Sequence, residues 1–217
     1  MTKIKLTSAD FFCWGGWFSE WFRQRGINVV FWLDNWKPAI DTHTWNHPEA
    51  EHYLWNILEL DTPEKINEVV PDTDILTWSP PCVSFSTSNK AWNADKWLWI
   101  QLIEAYLRIV LVKKNNWKLK YWLMENVSNS SMHVKDEYTA EELWLPKEYW
   151  DLKIPVWEHL LASDYGAPQN RKRYVCWDFV IPRKTHEWKE ILIENVLLEL
   201  WEPFFWDKKW QIKDTVY

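Results

Sequence analysis

The chain alternates short apolar runs with amphipathic stretches. Residues 8–13 (Ser-Ala-Asp-Phe-Phe-Cys) suit a short strand and are followed by a tight turn. A helix is expected near 18–25, and Gly26 is well placed to end it, because glycine readily takes the left-handed conformation just past a last turn. Ile27 to Leu33 is apolar and rich in β-branched residues, as buried parallel strands are. Pro38 to Trp45 and Pro63 to Val70 suit helices, the second with its proline in the first turn, where the missing N–H is harmless. Asp74 to Thr77 reads as a strand running into Pro80-Pro81. Residues 100–112 repeat apolar positions at helical spacing. Tyr121 to Met124 is another buried strand, ending at Glu125-Asn126-Val127, and 173–181 is a last one.

Such alternation predicts an α/β fold, a doubly wound and mostly parallel sheet with right-handed crossovers. Ligands in these sheets collect beyond the carboxyl ends of the strands, where Asp34, Cys82 and Glu125 fall. With 217 residues the chain is long enough for a well-buried core. No apolar run reaches membrane-spanning length, and Met1 to Lys5 is short and charged. A cytoplasmic protein without a membrane partner is therefore expected. Cys13, Cys82 and Cys176 lie too far apart for a metal cluster, so no metal is expected. Their odd number, with no secretory signal, points to reduced thiols, one of them a candidate for reactivity. The net charge of -6 and pI near 5.6 count mildly against DNA, since phosphate neutralisation favours basic domains. An acidic catalytic half that leaves most DNA contacts to another module remains compatible.

Four stretches carry candidate chemistry. In Asp74-Ile-Leu-Thr-Trp-Ser-Pro-Pro-Cys82-Val-Ser-Phe-Ser86 a cysteine follows two prolines at a strand end, so a stiff turn fixes the direction of its sulfur. A cysteine is more often a small buried residue, but the turn and its polar surroundings weigh against that here. Glu125-Asn126-Val127 follows an apolar strand and, alone, is equally suited to capping the next helix. Residues 163–173 (Ser-Asp-Tyr-Gly-Ala-Pro-Gln-Asn-Arg-Lys-Arg) place a Gly/Pro turn before Arg171 and Arg173. Strand alternation puts those two on one face as a pair of donors; a solvated basic edge is the plain alternative. Asp10 to Phe22 is a strand, a turn containing Gly15-Gly16, and a helix. Asp34 ends the next strand, where an acid can accept hydrogen bonds from ribose hydroxyls.

In this order the segments resemble the DNA (cytosine-5) methyltransferase family, whose motifs run Asp-x-Phe-x-Gly-x-Gly-Gly-Phe-Ser, Gly-Pro-Pro-Cys-x-x-Phe-Ser, Glu-Asn-Val and Tyr-Gly-x-Pro-Gln-x-Arg-x-Arg. Four motifs in sequence, across residues 10–177, make the match specific. The resemblance implies an S-adenosylmethionine-dependent methyltransferase domain over 1–182 and double-stranded DNA as partner. Cys82 is then the nucleophile that adds to carbon 6 of a flipped cytosine. Glu125 holds or protonates ring N3. Arg173 binds the base's O2 and Arg171 supports the loop, their charge also favouring the thiolate. For the cofactor it implies Phe12 on the adenine, the backbone of Cys13, Gly15 and Gly16 at the methionine part, Asp34 with neighbouring Asn35 at the ribose, and Asn56-Ile57 in the family's Asp-Ile position. Pro81 and Leu102 line the same pocket.

Two departures stand out. Trp14, Trp17, Trp21, Trp55, Trp78 and Trp177 occupy positions where the family carries glycine. The chain holds 21 tryptophans and 4 glycines, against about 15 glycines at the usual ~7%. An indole has 150–250 Å² to bury, and at 14 and 17 it is expected to fill the methionine pocket; Trp78 threatens the nucleophile loop similarly. One cause covers the motif positions and the composition together: a UGA codon decoded as glycine but written as tryptophan. Second, residues 183–217 contain an apolar helix candidate at 190–200 but no final Gly-Asn element. They read as the start of a connection to a target-recognition region, supplied by further chain or by a second subunit. Two other readings stay open: a non-catalytic module that binds DNA or a partner, and an RNA-directed relative.

Overall fold

The computed structural model describes residues 6–12, 14–82, 96–178, 180 and 182–186. Cys13, the Val83–Ser86 end of the nucleophile motif and the helix expected at 190–200 lie outside them. The first unit is an alternation of strands and helices: β1 (Thr7–Phe11), α1 (Trp17–Gln24), β2 (Asn28–Asp34), α2 (Lys37–Asn46), β3 (Glu51–Leu54), α3 (Pro63–Val69), β4 (Ile75–Trp78), α4 (Lys96–Asn115) and β5 (Tyr121–Val127). Short strands β6 (Glu137–Tyr138) and β7 (Leu152–Lys153) come next, then β8 (Val156–Leu161) and β9 (Lys172–Trp177).

Local chemistry sets the element boundaries. Thr62 caps α3 by accepting the Lys65 N–H, with Pro63 in the first turn. Gly26, at φ 76°, closes α1: its N–H reaches the Arg23 carbonyl and the Ile27 N–H reaches that of Phe22. The strand expected to stop at Met124 continues through Glu125, Asn126 and Val127. β9 begins at Lys172, so Arg171 precedes it.

Seven strands form one sheet in the order β3-β2-β1-β4-β5-β9-β8, while β6 and β7 form a separate antiparallel pair. β1 pairs in parallel with both β2 and β4, β2 with β3, and β4 with β5. The chain thus winds outward from β1 in one direction and resumes at β4 in the other, leaving a switch point at the carboxyl ends of β1 and β4. Both faces of the sheet are covered. On β2, Phe31 and Leu33 join a large cluster with Ile103, Leu107 and Met124, whereas Trp32 joins a smaller one with Phe22 and Ile75. The Tyr106 hydroxyl on α4 lies 3.2 Å from the Leu76 carbonyl and 3.0 Å from that of Leu123, locking the helix over β4 and β5.

The chain divides into two compact units, Met1–His159 with Tyr174–Ile181, and Leu160–Arg173 with Pro182–Tyr217. In the second, Asp164 gathers the segment after Pro182. Its carbonyl accepts the N–H groups of Thr185 and His186, and its carboxylate pairs with Lys184 at 3.1 Å.

Candidate functional site

The strand register builds the site. Phe11 is paired with Leu33 on one side and Trp78 on the other, and Trp78 with Met124. These four residues form one row across the sheet. The next residue of each strand, Phe12, Asp34, Ser79 and Glu125, therefore stands at the carboxyl edge of the switch point. Phe12 donates its N–H to the Leu33 carbonyl at 2.9 Å. Ser79 Oγ donates to Glu125 Oε2 at 2.6 Å, a short bond of the kind a carboxylate acceptor gives.

The Pro-Pro turn is held from the same strand. Asn126 is buried, and its Nδ2 donates to the Pro80 carbonyl at 3.2 Å. Because prolines 80 and 81 restrict the backbone, a tether at Pro80 constrains the position of Cys82 two residues on. Pro81 is exposed and Cys82 half-buried. The other described cysteine, Cys176, is enclosed on β9, where burial pushes its thiol pKa far up. Cys82 is thus the more accessible of the two described thiols.

On the other side of the switch point, Asp34 is buried and accepts the Trp36 N–H on Oδ1 at 2.9 Å; the backbone of Trp14 and Asn35 also donates to it. Burial raises its pKa, and those bonds partly offset the rise. Asn35 is exposed. The Asp34 carbonyl accepts the Trp55 N–H at 3.0 Å, which places Asn56 and Ile57 beside it in chain order. The Asn56 Oδ1 accepts the Leu58 N–H at 3.1 Å, and the Ile57 side chain packs in the core. Leu102 is half-buried against that core.

Gly15 has open space around its Cα, whereas Gly16, at φ 100°, stands at the start of α1. A Cβ at Gly16 would meet the Trp32 ring at 3.0 Å, and its φ favours glycine, so the turn needs this residue. The tryptophans of this turn are not buried beneath it: Trp14 is 60% exposed, its ring tilted against that of Trp36 at 5.4 Å, and Trp17 is 87% exposed. Trp17 forms one wall of an open cleft of about 440 Å³ lined by Gly15, Gly16, Glu20, Arg23, Asn46 and His47. Both indoles are therefore largely exposed, with Trp17 standing beside the glycines of the cleft. Trp78 is enclosed instead, stacked on Tyr106 at 5.0 Å and edge-on to Phe12 at 6.0 Å.

One group escapes a reading of the sequence. Asp10, on β1, is fully buried. Its Oδ1 accepts from Thr77 Oγ1 on β4 at 2.9 Å and its Oδ2 from Ser19 Oγ on α1 at 3.1 Å. Burial pushes its pKa up to about 7. It ties the first turn of α1 to the two strands flanking the switch point. The signal is present, since Asp10 opens the first motif, but strand pairing is needed to reveal its partners.

Arg171 and Arg173 belong to the second unit. Arg171 is exposed, its N–H donating to the Gln169 carbonyl. Arg173 is half-buried and its Nη1 donates to the Lys172 carbonyl at 2.9 Å. Because the strand starts after Arg171, the alternation expected to pair them governs only Arg173. Among the described residues there is no cluster able to hold a metal ion and no helix long and apolar enough to cross a membrane.

Comparison with known proteins fits this arrangement. The chain is 29% identical over 170 residues to the type II methyltransferase M.DdeI of Desulfomicrobium norvegicum, covering 77% of this chain and 39% of that protein. It is 31% identical over 171 residues to the type II methyltransferase M.MthTI of Methanothermobacter thermautotrophicus, covering 78% and 48%. It thus spans less than half the length of either relative. A prophage-encoded protein of E. coli, described as a DNA modification methyltransferase, superposes with a TM-score of 0.57 at 25% identity, over 80% of this chain and 46% of that one. Spodoptera frugiperda DNMT2 shares the fold at a TM-score of 0.53 and 22% identity, over 87% and 54%. The profile of the C-5 cytosine-specific DNA methylases matches residues 6–215, and the chain belongs to that family.

Proposed function

We propose that the chain is the catalytic part of an enzyme that transfers a methyl group from S-adenosylmethionine to carbon 5 of cytosine in DNA, with Cys82 as nucleophile. The observation that supports it most is the register that sets the Ser79–Cys82 turn against Glu125 and Asn126, at the switch point that also carries Asp34 and Gly16.

The residues present fit the methyl donor. Asp34 offers a carboxylate to a ribose, Gly16 allows a tight turn beneath a ligand, and the indoles of Trp14 and Trp17 are largely exposed and not packed into the core beneath the turn. Phe12, the Cys13 backbone, Gly15, Asn35, Asn56, Ile57, Pro81 and Leu102 are the further residues proposed to hold it. When bound, S-adenosylmethionine supplies an electrophilic methyl on a sulfonium sulfur.

The chain's own residues supply the rest of the chemistry. Carbon 5 of cytosine is a weak nucleophile. The Cys82 thiol gives up its proton to water and its sulfur bonds to carbon 6, driving the ring's π electrons towards carbon 5. Glu125 holds a proton at N3, offsetting the charge that this addition creates. Ser79 donates to one Glu125 oxygen and so helps fix the carboxylate at the carboxyl edge of the sheet. After methylation, loss of the carbon 5 proton to water re-forms the double bond and expels the Cys82 thiolate. By motif correspondence Arg173 is assigned to the base's O2 and Arg171 to its loop. The cytosine must leave the duplex, since addition comes from the ring face. The relatives' type II names make pairing with a restriction endonuclease part of the proposal.

The test is transfer of labelled methyl from S-adenosylmethionine to duplex DNA by the complete gene product. Cys82→Ala should abolish incorporation; incorporation that survives it sinks the nucleophile assignment.

A further inference from the structure

We infer that positions 14, 117 and 144, written as tryptophan, are glycine in the protein as its own cell makes it. Positions 117 and 144 lie in none of the methyltransferase motifs, so this inference stands on backbone geometry and not on the proposed function.

Among the described residues, four other than glycine have positive φ: Phe12 (56°), Trp14 (48°), Trp117 (63°) and Trp144 (59°). The left-handed region is unfavourable for any residue with a Cβ, and a bulky side chain there is a true outlier. Three of the four being tryptophan demands a cause.

Hydrogen bonding supplies it, because the same loop is built elsewhere in this chain with glycine. After α1, the N–H of Gly26 bonds the carbonyl three residues back (Arg23), and the next N–H, of Ile27, bonds the carbonyl five back (Phe22). Gly166 repeats this with Ser163, and Ala167 with Ala162. Trp144 makes the same pair of bonds: its N–H reaches Glu141 at 3.0 Å and that of Leu145 reaches Ala140 at 2.9 Å. Trp117, two residues beyond the end of α4, donates to Lys114 at 3.1 Å in the same way. This is the helix-terminating loop whose left-handed position is normally glycine. The full pair of bonds is made at Gly26, Gly166 and Trp144, and Trp117 makes the first bond of the pair.

The side chains add nothing that would offset the conformation. Trp117 is 91% exposed and Trp144 is 73% exposed, whereas tryptophan is ordinarily among the more buried residues. Enclosed indoles show the converse misfit. The N–H groups of Trp32, Trp78 and Trp122 lack a hydrogen-bond partner, although buried tryptophans usually find one. The Trp32 ring also crowds that of His43. A residue without a side chain removes both misfits, and decoding of one codon as glycine accounts for them together. Glycine at 14 also restores three consecutive glycines opposite Asp34.

The direct test is tandem mass spectrometry of peptides from the endogenous protein, which needs no folded sample. Glycine is expected at 117 and 144; tryptophan at either overturns the inference. A second test uses the chain as written. Trp117→Gly and Trp144→Gly should each raise the unfolding midpoint by about 2–4 °C, whereas Trp117→Ala and Trp144→Ala, which keep a Cβ at positive φ, should gain less. Equal gains for glycine and alanine overturn the backbone argument. Glycine in the peptides without methyl transfer to DNA would leave the decoding intact and remove the proposed function.

Discussion

Asp10→Asn should flatten the pH dependence of stability. Burial pushes the Asp10 carboxyl up to about 7, while the Thr77 and Ser19 hydroxyls pull it down only in part. Its ordinary value is 3.8. Between those values the folded chain keeps a proton that the unfolded chain has lost, so stability must fall as pH rises through this window. The slope is about 1.4 kcal/mol per pH unit, and the whole loss has a ceiling of about 4 kcal/mol. Asparagine has the shape of the protonated acid: its oxygen can accept from Thr77 and its amide can donate to the Ser19 hydroxyl. The variant should therefore match the parent near pH 4 and exceed it near pH 7 by up to ~4 kcal/mol. Urea unfolding across that range, comparing midpoints at constant slope, measures this directly. Parallel curves for parent and variant would refute the claim that a buried, proton-retaining carboxyl clamps β1 to β4 and α1.

Other substitutions probe neighbouring parts of the frame. Asn126→Ala leaves the Pro80 carbonyl without its donor and should cost about 1–3 kcal/mol in denaturant unfolding; it should also change the alkylation rate of the Cys82 thiol. Tyr106→Phe removes the hydroxyl between the Leu76 and Leu123 carbonyls and should cost about 1 kcal/mol by the same assay. In the native protein iodoacetamide should modify Cys82 while Cys176 stays protected until unfolding, as peptide mapping would show. Ile66→Ala, at a fully enclosed position on α3, should lower stability by about 2–5 kcal/mol.

Most of the sheet is legible in the sequence because its central strands are buried on both faces and therefore read as apolar runs. Val29 to Leu33 and Leu76 to Trp78 carry that signal plainly. β3 does not, since Glu-His-Tyr-Leu is an edge strand paired only with β2 and half open to solvent. β8 is hidden for a related reason: Trp157, Glu158 and His159 interrupt any apolar pattern at the other edge. α4 starts four residues earlier than its periodicity suggests, because Lys96 and Trp97 are exposed and carry no period. Within the candidate site the residue types are visible in the sequence but their partners are not. Register alone brings Ser79 to Glu125 and Thr77 to Asp10, and a linear sequence does not encode register until strand order is known.

The most direct test of the proposed chemistry is a covalent trap. Duplex DNA carrying 5-fluorocytosine has no proton to lose at carbon 5 after methylation, so the carbon 6–sulfur bond persists. Incubated with S-adenosylmethionine and the complete gene product, then digested and mapped by mass spectrometry, the nucleotide should be found on the peptide that contains Cys82. Methylation of ordinary DNA by a protein whose Cys82 peptide never carries the adduct would contradict the account.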